Sequence, residues 1–467
     1  AIFPDEGRYE GVMELDFNNM FALTAIGLIN TKLPGGKEGF SLLIIITAEF
    51  SPVQLGFGFT LNGVGGLLGL NREMRVDVLR QGLKDGTLES ILFPTDVVAN
   101  ANKIISDIRE IFPPEEGAFV FGIMGKIGWG TPTLITLDIG LAIRVPDPVK
   151  IAILGIIRAM LPDEKAAIIV IKVSFIGTIE FDKKLVAFDA SIFDSRLLAF
   201  TLEGDMGFRM FWGEKAAFLM TVGGFHPAYK PPPLDLLDYK RITINLLGGN
   251  NPRLTLEAYH AVSSNTVQFG AKVELYAKAW KFSVQGILAI DVLFQFSPFY
   301  FIAQIHASVA VKAGSSTLFS ISLSGSLEGP TPWKVKGKAS FKVLFVKVKV
   351  RISKTFGKDK DTELEDIDAL PKLTEALKDK RNWESHLATG SFQNVTIKEI
   401  DMESLSDEDD ENNVANLVVD PSGRLTLSQK VVPLDLKIQK FGSQKPADAN
   451  KFWIDEVTSN STIFNLT

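Results

Sequence analysis

Apolar and polar residues alternate along most of this chain, and the period of that alternation sets the first expectation. From Ile169 to Phe181 the odd positions Ile169, Ile171, Val173, Phe175, Ile179 and Phe181 are apolar, while even ones include Lys172, Ser174, Thr178 and Glu180. From Leu198 to Trp212 the apolar set moves to even positions, among them Phe200, Leu202, Phe208 and Met210, against Thr201, Glu203, Asp205 and Arg209. Phe319, Ile321, Leu323 and Leu327 alternate with Ser320, Ser322, Ser324 and Ser326 in the same way. Side chains of a strand point to its two faces in turn, so alternation over such lengths predicts half-buried strands with one wet face. Connections such as Gly314-Ser315-Ser316 are too short for a crossover helix and predict hairpins. The fold class that follows is mainly β with minor α: a long antiparallel meander forming a large curved sheet, sandwich or barrel-like body.

Departures from the period divide the chain. Ser41–Phe50 is almost continuously apolar, which predicts a strand covered on both faces. Between Arg72 and Ile111 the residues Met74, Val78, Ile104, Ile105 and Ile108 recur at helical spacing. This predicts a helical insertion over about 72–112, broken at Pro94, with Thr95 or Asp96 capping a second helix, and ended by Pro113-Pro114. Val149–Met160 reads as a short helix, and Ala228–Asp238 as a Pro-rich linker. In Lys334–Ile352 the apolar set begins on odd positions (Val335, Ala339, Phe341, Val343) and ends on even ones (Val346, Val348, Val350, Ile352). A one-residue slip turns every side chain to the other face, so a β-bulge is expected near Leu344–Phe345. After Gly357 come a charged stretch with helical spacing (Lys358–Arg381), an acidic run expected to be disordered (Ser404–Asn413) and a strand-like return at Arg424–Lys440. The resulting divisions are 1–117, with the insertion; 118–356, the meander body; 357–420, a linker; and 421–467, the start of a C-terminal β module.

Composition sharpens this. Phe occurs 34 times against 6 Tyr and 6 Trp, which predicts wide, dry contacts in a packed core. A net charge of −6 argues against nucleic acid as a partner. The chain has no cysteine, which excludes disulfides and thiolate chemistry and leaves the compartment open. No apolar run reaches the roughly 18 residues of a membrane-spanning helix; the nearest, Ile151–Leu161, holds Arg158. A start at Ala1 without a leader pattern, and a last stretch resembling the middle of a fold, lead us to expect a piece of a longer polypeptide.

Few residues suggest chemistry. Asn62–Gly69 (NGVGGLLG) reads as a loop between a strand and a helix, the context of a dinucleotide-binding turn. Gly63 and Gly65 are spaced correctly for it, but the third glycine comes one residue late, and a tight turn into a packed helix is the plainer reading. Of four histidines, His226 at the end of a strand is the candidate site residue, although a hydrogen-bonded turn histidine is commoner; His260, His306 and His386 lie in no metal-ligand spacing. Asp189, Asp194, Glu203 and Asp205 are read as solvated side chains on polar strand faces. The lysines of Lys334–Lys349 suit a protected edge strand better than a polyanion or lipid headgroup site. Sequons at Asn394, Asn460 and Asn465 are short enough to arise by chance. No cofactor or metal is implied.

Several phrases are shared with known sequences: Gly56–Asn71 (GFGFTLNGVGGLLGLN), Phe208–Pro227 (FRMFWGEKAAFLMTVGGFHP), Phe294–Phe301 (FQFSPFYF), Gly329–Gly337 (GPTPWKVKG) and Arg424–Gly442 (RLTLSQKVVPLDLKIQKFG). Together they resemble the large proteins of domain of unknown function 6603, a resemblance that covers most of the chain and implies no activity. The expected function is a non-enzymatic structural or protein-binding module of a larger β-rich protein or assembly, with a protein or other copies of itself as partner. The alternative is a binder or carrier of lipid or another apolar ligand in a Phe-lined groove. An outer-membrane barrel is set aside because a packed core accounts for the Phe more simply, and an enzyme rests only on Gly63, Gly65 and His226.

Overall fold

Long alternating segments become long strands. In the structure, a computed structural model, all residues are described except 6, 18–19, 85–86, 164–165, 214–215, 235, 359–365, 387–423, 443, 448–449, 454–456, 460–461 and 465–467. The acidic run Ser404–Asn413 and the three sequon asparagines lie outside the described residues. The chain divides into two units, Ala1–Glu363 and Leu364–Thr467.

The first unit is built on twenty antiparallel strands of one sheet. They are β1 (Ile2–Asp5), β2 (Arg8–Phe17), β3 (Phe21–Lys32), β4 (Glu38–Gly56), β5 (Phe59–Arg72), β6 (Pro114–Trp129) and β7 (Ile135–Val145). Then follow β8 (Lys150–Leu161), β9 (Ile169–Glu180), β10 (Leu185–Leu197), β11 (Phe200–Phe211), β12 (Ala217–Val222), β13 (Ile242–Gly248) and β14 (Arg253–Ser263). The last six are β15 (Thr266–Ala279), β16 (Phe282–Gln295), β17 (Tyr300–Ala313), β18 (Ser316–Gly329), β19 (Trp333–Val343) and β20 (Val346–Phe356).

Each strand pairs with its neighbours in sequence, with one exception. Both β12 and β13 lie between β11 and β14, end to end in a single row. The chain leaves that row at Gly223 and Gly224, whose φ angles of 79° and 81° suit glycine. A Cβ on Gly223 would stand 2.4 Å from the Ala258 carbonyl oxygen. Among the described pairings β1 contacts only β2, and β20 only β19, so the sheet has two free edges. β6 runs through the expected division at 117/118, and no break in the sheet falls there.

Between β5 and β6 lies the insertion: α1 (Val76–Gln81), a 3₁₀ turn at Thr87–Ser90 and α2 (Ala101–Ile111). Its helices bury Leu79, Ile104, Ile108 and Ile111 against Val12, Ile26, Leu43, Leu67, Val120 and Leu154 of the sheet, which forms the core of the unit. Arg72, fully buried at its root, donates to the Phe112 and Leu28 carbonyls at 3.0 and 3.3 Å and to Asn30 Oδ1 at 2.6 Å. Burial lowers its pKa to about 10. Neither Thr95 nor Asp96 caps α2. Asn100 occupies that position without a side-chain capping bond; its Nδ2 donates to the Thr95 carbonyl at 3.4 Å and its backbone N–H to the Asp96 carbonyl, extending the turn after Pro94.

Three further expectations are corrected. Val149–Met160 is not a helix but most of β8, paired along its length with β7 and β9. Its two faces are both apolar, Ala152, Leu154 and Ile156 on one and Ile151, Ile153 and Ile157 on the other, which hides the period of two. The phase change in Lys334–Ile352 is a hairpin, not a bulge. Val343 pairs with Val346 across the turn Leu344-Phe345, so odd positions of β19 share a face with even positions of β20. Finally, Asn62–Gly69 lies inside β5, paired on both sides, and forms no loop.

The second unit holds α3 (Leu370–Lys378), the pair β21 (Trp383–His386) and β22 (Arg424–Leu427), and the pair β23 (Val457–Ser459) and β24 (Thr462–Phe464). Its core is Ala369, Leu373, Val432, Ile438 and Phe452. Of the strand-like Arg424–Lys440, only β22 is a strand; the remainder makes isolated bridges such as Leu434 to Phe452.

Candidate functional site

The sequence candidates are not brought together. Gly63 and Gly65 sit mid-strand beneath the insertion, where a Cβ on Gly63 would stand 2.9 Å from the Phe93 ring and one on Gly65 2.9 Å from the Thr47 methyl. They are small because neighbours approach closely, and in-strand pairing uses the amides that a phosphate would need. His226, seven strands beyond β5, is buried in the segment after β12. Its N–H donates to Gln268 Oε1 at 2.9 Å, and its Nδ1 accepts from the Ala228 N–H at 3.0 Å, which places the proton on Nε2. Burial lowers its pKa, opposed by Asp291 and reinforced by Arg241. His306 lines an open polar hollow of about 520 Å³ with Asp291, Gln304, Ser324, Lys338 and Arg351.

The acidic residues divide. Asp194 and Glu203 are exposed, as expected, near Lys172 and Lys240. Asp189 and Asp205 are instead buried, because the side of β9–β11 that alternation marks as polar lies under the insertion. Arg80 of α1 donates to Thr178 Oγ1 at 2.7 Å and Glu180 Oε1 at 3.0 Å, and its Nε is 3.7 Å from Asp189 Oδ2. Asp189 Oδ1 accepts from Arg209 Nη1 at 2.9 Å and from the Tyr239 hydroxyl at 2.7 Å. Asp205 accepts from Ser191 Oγ at 2.7 Å and the Lys240 N–H at 2.8 Å, and Lys84 Nζ is 2.9 Å away. Burial and the Asp189 charge both raise the Tyr239 pKa. Charges so thoroughly paired fasten α1 and the 223–241 excursion to the sheet. Among the described residues no three His, Asp or Glu converge as a metal site requires.

What the structure leaves open is the opposite face of the sheet, which sequence reasoning misplaced. Cross-strand partners share a face, so rows of them can be followed from strand to strand. One row runs from Met13 through Ala25, Ile46, Gly66, Ile123 and Leu141 to Ile153. It continues through Gly177, Phe188, Phe208, Met220 and Val262 to Val267, Phe294 and Phe301 on β17. No member has a polar side chain. Among the described paired positions of this face from β2 to β20, the single charged side chain is Lys354, on the outermost strand.

This face is uncovered within its unit. The core cluster lies wholly on the insertion side, whereas Ile123 remains 67% exposed and Leu323 50%. The abundant Phe belongs here rather than to a packed core: among the described residues the buried Phe are Phe93 and Phe112 of the insertion and Phe452 of the second unit, while Phe121, Phe218, Phe269 and Phe341 stay exposed. Toward β20 the face carries a hollow of about 430 Å³ lined by Ile290, Ile305, Leu323, Leu327 and Val335. The cross-strand pair Gly325 and Gly337 opens it by presenting no side chains.

No helix among the described residues is long and apolar enough to cross a membrane. Compared with known proteins, residues 2–464 match a family model described as "Family of unknown function (DUF6603)". No curated protein matches, and no solved structure does.

Proposed function

The chain belongs to this family of unknown function, so its role has to be read from its own surfaces, and we propose that it is a non-enzymatic module that shelters an apolar ligand, of the acyl-chain class, on the uncharged sheet face. The observation that carries this reading is the row of nonpolar side chains from Met13 to Phe301. Twenty strands in nineteen rows, since β12 and β13 share one, extend the face over roughly 85 Å at ~4.8 Å per row. Apolar patches on soluble monomers are normally a few hundred Å², so a face of this extent needs an occupant. Hot spots of protein interfaces are enriched in Trp, Tyr and Arg. At its described paired positions this face carries no Arg, and has Tyr9, Trp129 and Trp333 near strand ends and His260 on β14. It is otherwise dominated by aliphatic, Met and Phe side chains, to which an acyl chain is a good complement. The glycine-floored hollow falls within the roughly 300–1,000 Å³ of ligand pockets.

The test is to place a charge in the hollow. Leu323 is half exposed, so Leu323→Lys is expected to leave the urea midpoint almost unchanged and to reduce uptake of a fluorescent fatty acid several-fold. Undiminished uptake by a folded variant overturns the reading. A second reading, burial of the face against the sheet of another chain or a second copy at about 10 Å spacing, is favoured by the regularity of the rows. Light scattering that gives a strict monomer at high concentration discards it.

A further inference from the structure

Five hairpins, β4–β5, β10–β11, β15–β16, β17–β18 and β19–β20, turn through two residues each. Strands alternate in direction, and β12 and β13 run the same way in their shared row, so all five turns project from one end of the sheet. Two-residue hairpins need positive φ at their first turn residue, a demand met by Asn, Asp or Gly. Here Gly314 meets it once (φ 55°), but the other four positions hold Phe57 (φ 54°), Leu198 (φ 56°), Trp280 (φ 53°) and Leu344 (φ 50°). A bulky side chain in the left-handed region is strained; Trp280 packs with its ring centroid 6.1 Å from that of Phe282, whereas the other turn side chains face solvent. Phe57 is 98% exposed, Leu198 58%, Trp280 80% and Phe345, the second residue of its turn, 98%. Strain and solvation both oppose these residues, yet they recur at one end. At the other end the exposed rings of Phe181 and Trp212 pack edge to face, with centroids 6.3 Å apart, and the connections hold Asp147 and Asp182; at the apolar end Asp163 lies in the β8–β9 connection.

Charge accompanies the apolar turns. Lys342 and Lys347 stand directly opposite each other beside Leu344 and Phe345. Like charges in that relation are destabilising, and neither makes an ion pair among the described residues. Lys281 lies with its Nζ 4.3 Å from the centroid of the Trp280 ring. An apolar tip flanked by uncompensated cations is the side-chain chemistry of an interface between acyl chains and anionic headgroups. We infer that this end of the sheet docks on an anionic lipid bilayer, its turns entering the headgroup region and its lysines meeting lipid phosphates and carboxylates.

The inference goes beyond the ligand-sheltering face and rests on the turns alone, so the two fail separately. The experiment is co-sedimentation of the full chain with phosphatidylcholine vesicles, with and without phosphatidylserine, alongside a Trp280→Ser/Phe345→Ser variant and a Lys342→Gln/Lys347→Gln variant. Wild type is expected to bind the anionic vesicles at least about tenfold better than the neutral ones, and less well in high salt. The serine variant loses most binding to both; the glutamine variant loses the preference for phosphatidylserine. Trp280, Phe345 and Lys347 are exposed and Lys342 is half-buried, and an unchanged circular dichroism spectrum and urea midpoint confirm folding. Binding of wild type to no vesicle, or equal binding by folded wild type and serine variant, overturns the inference. Fatty-acid uptake that persists in the serine variant shows the sheltering face to be unaffected.

Discussion

Burial holds His226 neutral in the folded chain, below its ordinary pKa of 6.5. As pH falls through that value the unfolded chain takes up a proton that the folded chain resists, so the unfolded state binds more protons and stability falls. Urea midpoints are therefore expected to decline as the pH falls below the ordinary histidine value of 6.5, and His226→Gln, which cannot titrate, is expected to flatten part of that decline. Identical slopes in the two proteins would show that the ring is not held neutral. Its place at a strand end was legible in the sequence. Its partners Gln268 and Asp291 were not, since they lie on strands 42 or more residues away.

Elements are joined by the ion network beneath α1. Arg80 comes from the insertion, Asp189 from β10, Arg209 from β11 and Tyr239 from the excursion, so one carboxylate links four segments. Breaking a buried pair by removing one charge costs about 3–5 kcal/mol. Asp189→Asn is accordingly expected to destabilise the first unit by roughly that amount in urea unfolding, whereas exposed Asp194→Asn should change it by less than about 0.5 kcal/mol. Equal effects would mean that the network is not what secures the insertion. The insertion itself was legible, because Ile104, Ile105 and Ile108 keep a helical period. The last hairpin was not. A bulge and a two-residue turn both invert the phase of alternation, and Leu344-Phe345 lacks the Asn-Gly chemistry that would separate them.

At the scale of the whole first unit, alternation gives each strand two faces but does not say which will be covered. Ser174, Thr178, Glu180 and Asp189 went under the insertion because Arg80 and its neighbours supply their partners, and the Phe-rich face was left open. The antiparallel meander was therefore visible in the sequence, while the assignment of its surfaces was not. An open face of this kind is expected to hold an apolar occupant. Native mass spectrometry of the full chain, purified without detergent and ionised gently, tests this most directly. We expect species heavier than the bare chain by the mass of one or more lipids, with the excess released at higher collision energy. A single peak at the mass of the bare, monomeric chain would contradict it.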